Sequence, residues 1–132
     1  MNSNEEIKVC ATLQALRWRL TKTKRKHTVK QVIYAYMNYD LLGCAMPEEQ
    51  NNENEKSVRI IDNLLTGPRK TLEYTMTFVN ALASENLGRS YLLQKKDLVE
   101  VLVRVLHQEQ GDTILRQNAL GTLQKFSLRR RP

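Results

Sequence analysis

Residues 111–132 constrain the fold most, because their apolar residues recur with the spacing of an α-helix. We expect Asp112 to cap this helix, since its short side chain can accept a hydrogen bond from a free backbone N–H. The segment Ala119-Leu120-Gly121 places small residues where a neighbouring helix must come close. One helical face then carries Leu115, Ala119, Leu123 and Phe126. The pattern predicts one layer of a helical stack.

The preceding segment, 97–108, is apolar on nearly every side. Its valines alternate with Glu100 and Arg104, a pattern that also fits a β-strand. Two features favour a helix: leucines recur every four residues, and Asp97 and Glu100 have the spacing of a capping box. The sequence therefore predicts a helix that is buried between others.

The first half of the chain predicts two amphipathic helices joined by a basic linker at 21–27. The first begins near Asn4, and the second is expected to begin at a Thr28 cap and to fade by Gly43. Their apolar faces carry Val9, Leu13, Leu16 and Leu20, and then Val29, Val32, Ile33, Tyr36 and Met37. Residues 45–56 are acidic, rich in amides and poor in apolar side chains, so they predict a mobile loop.

Two further helices are predicted on either side of Gly67-Pro68. Ser57 is expected to cap the first, and Pro68 to occupy the first position of the second. The second carries Leu72, Met76, Val79 and Ala83 on one face. Gly88 is expected to close a turn, and residues 88–94 to form a short helix or turn.

Length and composition fit one all-α domain covering residues 1–132. With 21 Lys and Arg against 14 Asp and Glu, the net charge of +7 favours anionic partners such as nucleic acid, acidic lipid or an acidic protein surface. Cys10 and Cys44 stand alone, which predicts reduced thiols in an intracellular protein. No apolar run reaches the roughly 18 residues of a membrane span, and the polar first residues do not resemble a signal peptide. We expect a soluble, cytoplasmic protein.

An internal repeat emerges when the predicted fourth helix is laid on the last one. Val79 aligns with Leu123, Asn80 with Gln124 and Leu82 with Phe126, a shift of 44 residues. A period of roughly 40–47 residues with two or three helices per unit is typical of armadillo and HEAT arrays. Such a unit cannot bury its apolar face alone and is stabilised by stacking on its neighbours.

Several segments also resemble one armadillo family. They are TLQALRWRLT at 12–21, NYDLLGC at 38–44, VNALAS followed by GRSYLLQ, and NALGTLQKFSLRR at 118–130. These segments are similar to the LisH-domain armadillo-repeat proteins of cilia and basal bodies. The resemblance implies an armadillo-type α-solenoid of about three stacked repeats, the first of them partial, and a non-catalytic scaffold function.

The same resemblance implies protein partners in a ciliary module that includes a TOG-domain protein, and a location at the cilium, basal body and centriole. It implies roles in cilium assembly, ciliary microtubule stability and length, and Hedgehog signalling. This sequence shows no LisH motif and no coiled coil, so we expect it to cover only the start of such an array. We also expect its last helix to leave an apolar edge that favours self-association, or extension past Pro132.

Two sets of residues are candidates for partner binding. The basic tract of Lys22, Lys24, Arg25 and Lys26, with His27, could bind an acidic surface such as a tubulin tail, or could be a solvated linker. Asn80 and its counterpart Gln124 could pair with the backbone of a bound peptide, or could simply cap a neighbouring turn. An importin-type groove is disfavoured, because the position four residues before Asn80 is Met76 rather than Trp.

Other chemistry has little support in the sequence. Trp18 could stack on a partner or pack at the edge of the first helix. Tyr34, Tyr36 and Tyr39 could stack on RNA, but no RNA-binding motif accompanies them. His27 and His107 have no metal-ligand spacing, and there is no glycine-rich phosphate loop. We expect no enzyme activity, cofactor, metal or small-molecule substrate. A basic helical domain that binds nucleic acid is the competing hypothesis.

Overall fold

The computed structural model describes residues 2–22, 25–46 and 59–128, and within these ranges it is helical without a β-strand. The elements are α1 (Ser3–Thr21), α2 (Lys26–Asn38), α3 (Ile60–Leu65), α4 (Arg69–Ala83), α5 (Asn86–Leu92), α6 (Leu98–Gln108) and α7 (Ile114–Ser127). The predicted all-α class is confirmed. The predicted loop 45–56 and the Ser57 cap lie almost wholly outside the described residues.

The three long helices α1, α4 and α7 form the frame of the molecule, with α4 in the middle. Helices α1 and α4 run in the same direction, because Cys10 meets Thr71 near the start of α4, while Arg17, further along α1, lies beside Thr77. Helices α4 and α7 also run in the same direction, because Lys70 and Ile114 near their starts line one depression and Asn80 meets Lys125 near their ends. The shorter helices pack around this frame: α3 and α5 lie on α4, α6 lies on α7, and α2 contacts α1 and α5. The three long helices therefore end on the same side of the molecule.

Helix α4 is buried because it is covered from several sides. Met76, Phe78, Val79, Leu82 and Ala83 are all fully buried. The Phe78 ring meets the edge of Tyr36 from α2 at a centroid distance of 5.9 Å. The predicted buried face of α4 is confirmed, but the buried surface is wider than predicted, because Thr71 and Thr75 are buried as well. Thr75 satisfies its hydroxyl by donating to the Thr71 carbonyl at 2.7 Å.

The valine-rich segment forms a helix as predicted, but only one side of it is buried. Leu98, Leu102 and Val105 are buried, whereas Val99 and Val103 are exposed. The prediction of burial on all sides is wrong because, among the described elements, α7 is the main packing partner of α6. An apolar edge remains open beside α7.

Several predicted helix starts are wrong by one to three residues. The Thr113 hydroxyl, not Asp112, caps α7 by accepting from the Arg116 N–H at 3.1 Å. Helix α2 begins at Lys26, ahead of the predicted cap at Thr28, and α4 begins at Arg69 rather than Pro68. The basic tract is therefore partly helical, not simply a linker.

The capping box predicted for α6 is also absent. Asp97 precedes α6 but makes no side-chain capping hydrogen bond. Its carboxylate accepts instead from the Lys95 ammonium at 2.6 Å. The Asp97 carboxylate therefore forms the charge-assisted hydrogen bond with Lys95, which is stronger than the capping hydrogen bond that the capping box would need.

Gly88 lies inside α5 and not in the predicted turn. A Cβ built at this position would fall 1.9 Å from the Leu82 carbonyl oxygen at the end of α4. Glycine is therefore required by the close approach of two helices. The predicted turn at Gly88 is wrong, whereas the short helix predicted as one alternative for residues 88–94 is present as part of α5.

The turn after α2 is held by buried polar groups. The Tyr91 hydroxyl accepts from the Leu42 N–H at 2.9 Å and donates to the Asp40 carboxylate at 2.7 Å. Burial, followed by the hydrogen bond to Asp40, raises the pKa of Tyr91, so the hydroxyl stays protonated. Burial, with Asp40 nearby, raises the pKa of Cys44 to about 12, so this cysteine is an inert thiol.

Candidate protein-binding face

The outer sides of α4 and α7 form one continuous surface built on the predicted shift of 44 residues. Equivalent positions on the two helices are half-buried or exposed at spacings of three and four residues. The pairs are Lys70 and Ile114, Glu73 and Gln117, Thr77 and Gly121, Asn80 and Gln124, and Ser84 and Leu128. We call this surface the α4–α7 face.

Helix α1 extends the α4–α7 face through a shallow groove. One depression of about 320 Å³ is lined by Gln14 and Arg17 of α1, by Lys70, Glu73, Tyr74 and Thr77 of α4, and by Ile114 of α7. A second, of about 470 Å³, adjoins it at Gln14, Lys70 and Tyr74 and continues toward the start of α1. The groove carries both cations and carboxylates above an apolar floor, which suits a polypeptide better than a small apolar ligand.

Asn80 lies on the α4–α7 face but is engaged inside the molecule. Its amide nitrogen donates to the Asn118 side chain at 2.8 Å, and its amide oxygen accepts from the Lys125 ammonium at 2.8 Å. A Cβ at Gly121 would lie 3.2 Å from that amide oxygen, so the glycine allows α7 to approach α4. The predicted close approach at Gly121 is confirmed, and the amide of Asn80 ties the two helices together.

Lys125 is the central residue of this junction, although nothing in the local sequence pattern indicates it. Its ammonium donates to the Asn80 carbonyl at 3.1 Å, to the Asn80 amide oxygen and to the Ser84 hydroxyl at 2.8 Å. Burial, and then the nearby Arg89 guanidinium, lower the pKa of Lys125. Arg89 donates to the Ala83 carbonyl at 2.8 Å, so two cations meet the carbonyl end of α4. In the sequence, Lys125 resembles any cation in the last turn of a helix.

The remaining candidates are placed differently. Gln124 is exposed at the position equivalent to Asn80. Lys22, Arg25 and Lys26 are exposed at the junction of α1 and α2, on the side where α1, α4 and α7 end, while Lys24 lies outside the described residues. The Lys22 ammonium sits 4.1 Å from the centre of the Trp18 ring. The structure therefore brings Asn80 and Gln124 onto one face and leaves the basic tract at its end.

The described residues also lack two other kinds of feature. They contain no group of three or more His, Cys, Asp or Glu side chains arranged to hold a metal ion. None of their helices combines the length and the apolar character that crossing a bilayer requires.

Comparison with known proteins relates the chain to one named protein from several animals. The chain is 42% identical over 118 residues to the LisH domain-containing protein ARMC9 of Rattus norvegicus, 40% identical to that of Homo sapiens and 36% identical to that of Danio rerio. Each match covers 89% of this chain. The chain is therefore similar to one part of these ARMC9 proteins. The resemblance predicted from the segments at 12–21, 38–44 and 118–130 is confirmed.

The ARMC9-like match is local to one segment of the relatives. It covers 15% of the length of the rat protein and 13% of the human protein. The LisH domain in their names belongs to those proteins. No protein-family profile matches this chain, and no solved structure does either.

Proposed function

We propose that this ARMC9-like chain is a segment of an armadillo-type solenoid that binds proteins without catalysing a reaction. In this proposal α2, α3 and α4 form one repeat, α5, α6 and α7 form the next, and α1 is the last helix of a partial repeat before them. Helix α1 then packs on α4 as α4 packs on α7. The ARMC9 relatives support the family-level half of the proposal.

The observation that carries the proposal is the 44-residue register of the two long helices. Shifting α4 by this amount superposes its outer positions on those of α7. It also superposes the buried positions Thr75, Phe78 and Leu82 on the buried Ala119, Thr122 and Phe126, and Val79 on the partly buried Leu123. Stacked repeats produce this relation because each unit must present the same face to the same neighbour. In a compact bundle without repeats, nothing requires the buried and the outer positions of two helices to be related by the same 44-residue shift.

The partner is proposed from charge and from the family resemblance. Arg17 and Lys70 line the groove together with Glu6 and Glu73, so the preference for an acidic protein segment is proposed from the net charge of +7. Together with the resemblance to ciliary armadillo proteins, this supports a scaffold at the cilium, basal body and centriole. The proposed partners are a TOG-domain protein and acidic microtubule surfaces, with roles in cilium assembly, microtubule stability and Hedgehog signalling.

The test is an affinity capture from extracts of ciliated cells with three forms of the chain. They are the wild type, the face variant Arg17→Glu with Lys70→Glu, and a control variant with Lys30→Glu and Arg104→Glu. The control changes the same charge at exposed positions on α2 and α6. We expect ciliary and basal-body proteins to be retained by the wild type and the control and to be lost with the face variant.

Filter binding of RNA and DNA at two salt concentrations tests the competing hypothesis. Steeply salt-dependent binding of nucleic acid, without a ciliary protein that responds to the face variant, would replace the scaffold by a nucleic-acid-binding domain. Equal capture by the face and control variants would place the binding surface elsewhere.

A further inference from the structure

Two cations meet at the end of α4 without a carboxylate to balance them. Lys125 donates to the Asn80 carbonyl at 3.1 Å. Arg89 donates to the Ala83 carbonyl at 2.8 Å, on the same last turn of α4. In the described part of the chain no ion pair includes either cation, and the buried Nε of Arg89 has no hydrogen-bond partner there. Burial, and then Arg89, lower the pKa of Lys125, as expected for a cation without an opposite charge beside it.

The carbonyl end of α4 balances only part of this charge. A helix C-terminus carries about half a negative charge, so roughly 1.5 of the positive charge on Lys125 and Arg89 stays uncompensated. The nearest carboxylate in the chain, Glu85, follows Ser84 but pairs with neither cation among the described residues. The junction of α4, α5 and α7 is therefore suited to a further anion of high charge.

The Ser84 hydroxyl lies next to both cations. Its Oγ accepts from the Lys125 ammonium at 2.8 Å, and the hydrogen bond that it donates, to the Asn80 carbonyl, is long at 3.4 Å. Ser84 also directly follows Ala83, whose carbonyl accepts from Arg89. The side chain is exposed, and the residue ends α4 as its C-cap. An enzyme can therefore reach this oxygen from solvent.

We infer that Ser84 is a phosphorylation site whose phosphate is held by Lys125 and Arg89. A protein kinase transfers the γ-phosphoryl group of ATP: a bond forms between the Ser84 Oγ and the γ-phosphorus, the bond from that phosphorus to the β–γ bridging oxygen breaks, and ADP and the hydroxyl proton leave. A phosphoserine carries about −1.5 to −2 charges at pH 7 and three acceptor oxygens, which matches the charge left at the junction. The phosphate then ties α5, through Arg89, and α7, through Lys125, to the end of α4.

The phosphate must be attached to the chain, because the site is weak for a free anion. Two charge-assisted hydrogen bonds support only a roughly millimolar dissociation constant for an anion that associates from solution. A phosphate on Ser84 is already at the site, so the contact costs no further association entropy. The inference concerns the junction itself and does not depend on the proposed ciliary partners.

Thermal unfolding of chains prepared with phosphoserine at position 84 tests the contact. We expect the phosphate to raise the melting temperature by about 3–8 °C. Lys125→Met and Arg89→Gln should each remove at least half of this rise, measured between the phosphorylated and the unmodified chain of the same variant. Arg89→Gln keeps a donor for the Ala83 carbonyl, and the unmodified variants show whether each substitution alone preserves the fold. No rise in the wild type, or an equal rise in all three backgrounds, would overturn the inference.

Lys30→Met is the matched control, because it removes the same charge at an exposed position on α2. The rise in melting temperature on phosphorylation should be the same in this control as in the wild type. Titration followed by phosphorus NMR adds a readout that a merely structural role would not move. The second pKa of phosphoserine, ordinarily about 6, should be roughly 1 lower in the wild type and the control than in Lys125→Met, because the cations favour the dianion. Equal pKa values in all three would contradict a phosphate held by Lys125.

Mass spectrometry tests whether the site is used. The chain incubated with ATP and an extract of ciliated cells should acquire a phosphate at Ser84, and Ser84→Ala should lose it. An extract that phosphorylates other residues of the chain and leaves Ser84 unmodified would count against the modification. The attached phosphate would also be the wrong ligand if about 1 mM inorganic phosphate raised the melting temperature of the unmodified chain by the same amount.

Discussion

Substitutions at the Lys95 ion pairs test how the helices around α4 are held together. The Lys95 ammonium is buried, whereas the carboxylates of Asp62 and Asp97 that it pairs with are exposed to water. The residue is only 3% exposed, and its ammonium lies 2.5 Å from an Asp62 carboxylate oxygen and 2.6 Å from one of Asp97. The aspartate side chains are 39% and 58% exposed. Burial alone would lower the pKa of Lys95, but the two hydrogen-bonded carboxylates raise it above its ordinary value.

This asymmetry predicts unequal costs for removing the two sides of the pair. Lys95→Met keeps most of the apolar stem and leaves two carboxylates that water can still reach. Losing the charge-assisted hydrogen bonds destabilises the fold, but removing the buried charge also removes its desolvation cost. The net loss in free energy of unfolding is therefore about 1–2 kcal/mol. Replacing both Asp62 and Asp97 by Asn leaves a buried ammonium without a carboxylate, and this costs about 3–4 kcal/mol.

Urea unfolding at pH 7, followed by circular dichroism, measures both values. In thermal unfolding each kcal/mol corresponds to about 3–5 °C for a chain of this size. A Lys95→Met variant that loses as much stability as the double Asn variant would refute the reasoning. It would mean that the carboxylates depend on the ammonium and are not hydrated in its absence.

Three other perturbations follow from the packing of α5 and its surroundings. Gly88→Ala should cost about 2–4 kcal/mol in thermal unfolding, because its Cβ would overlap the Leu82 carbonyl and force α5 away from α4. Tyr91→Phe should cost about 1–3 kcal/mol in urea unfolding, since it leaves the buried Leu42 N–H without its acceptor. The hydrogen bond from Lys95 holds the pKa of Asp97 below its ordinary 3.8. The contribution of this ion pair to the free energy of unfolding is therefore complete above that pH and is lost as the pH falls through the lowered pKa. Lys95→Met should therefore flatten the acid limb of a stability–pH profile, and an unchanged limb would contradict this assignment.

The sequence predicted the long helices well, because their apolar residues repeat with a clear period. The α1 stripe of Leu13, Leu16 and Leu20 and the α4 stripe of Met76 and Val79 were all placed on the correct side. Helix starts were less accurate, since several nearby residues compete for each cap. Thr113 lies one residue after Asp112 and accepts the capping bond instead. Such choices depend on tertiary partners that a local pattern does not contain.

The candidate site was predictable in position but not in contacts. The 44-residue register identified Asn80 and Gln124 as equivalent, and both lie on the outer side of their helices. That Asn80 would be engaged by Lys125 could not be foreseen, because the partner lies 45 residues away on another helix. Whether either residue binds a partner stays a prediction.

The open edge beside α7 has the form that a stack of repeats predicts for a layer without a neighbour among the described residues. Val99, Val103 and Leu120 are exposed there, whereas Met76, which the 44-residue shift aligns with Leu120, is fully buried on α4. In a stack each layer is covered by the next, so the same position is buried in a covered layer and exposed in an uncovered one.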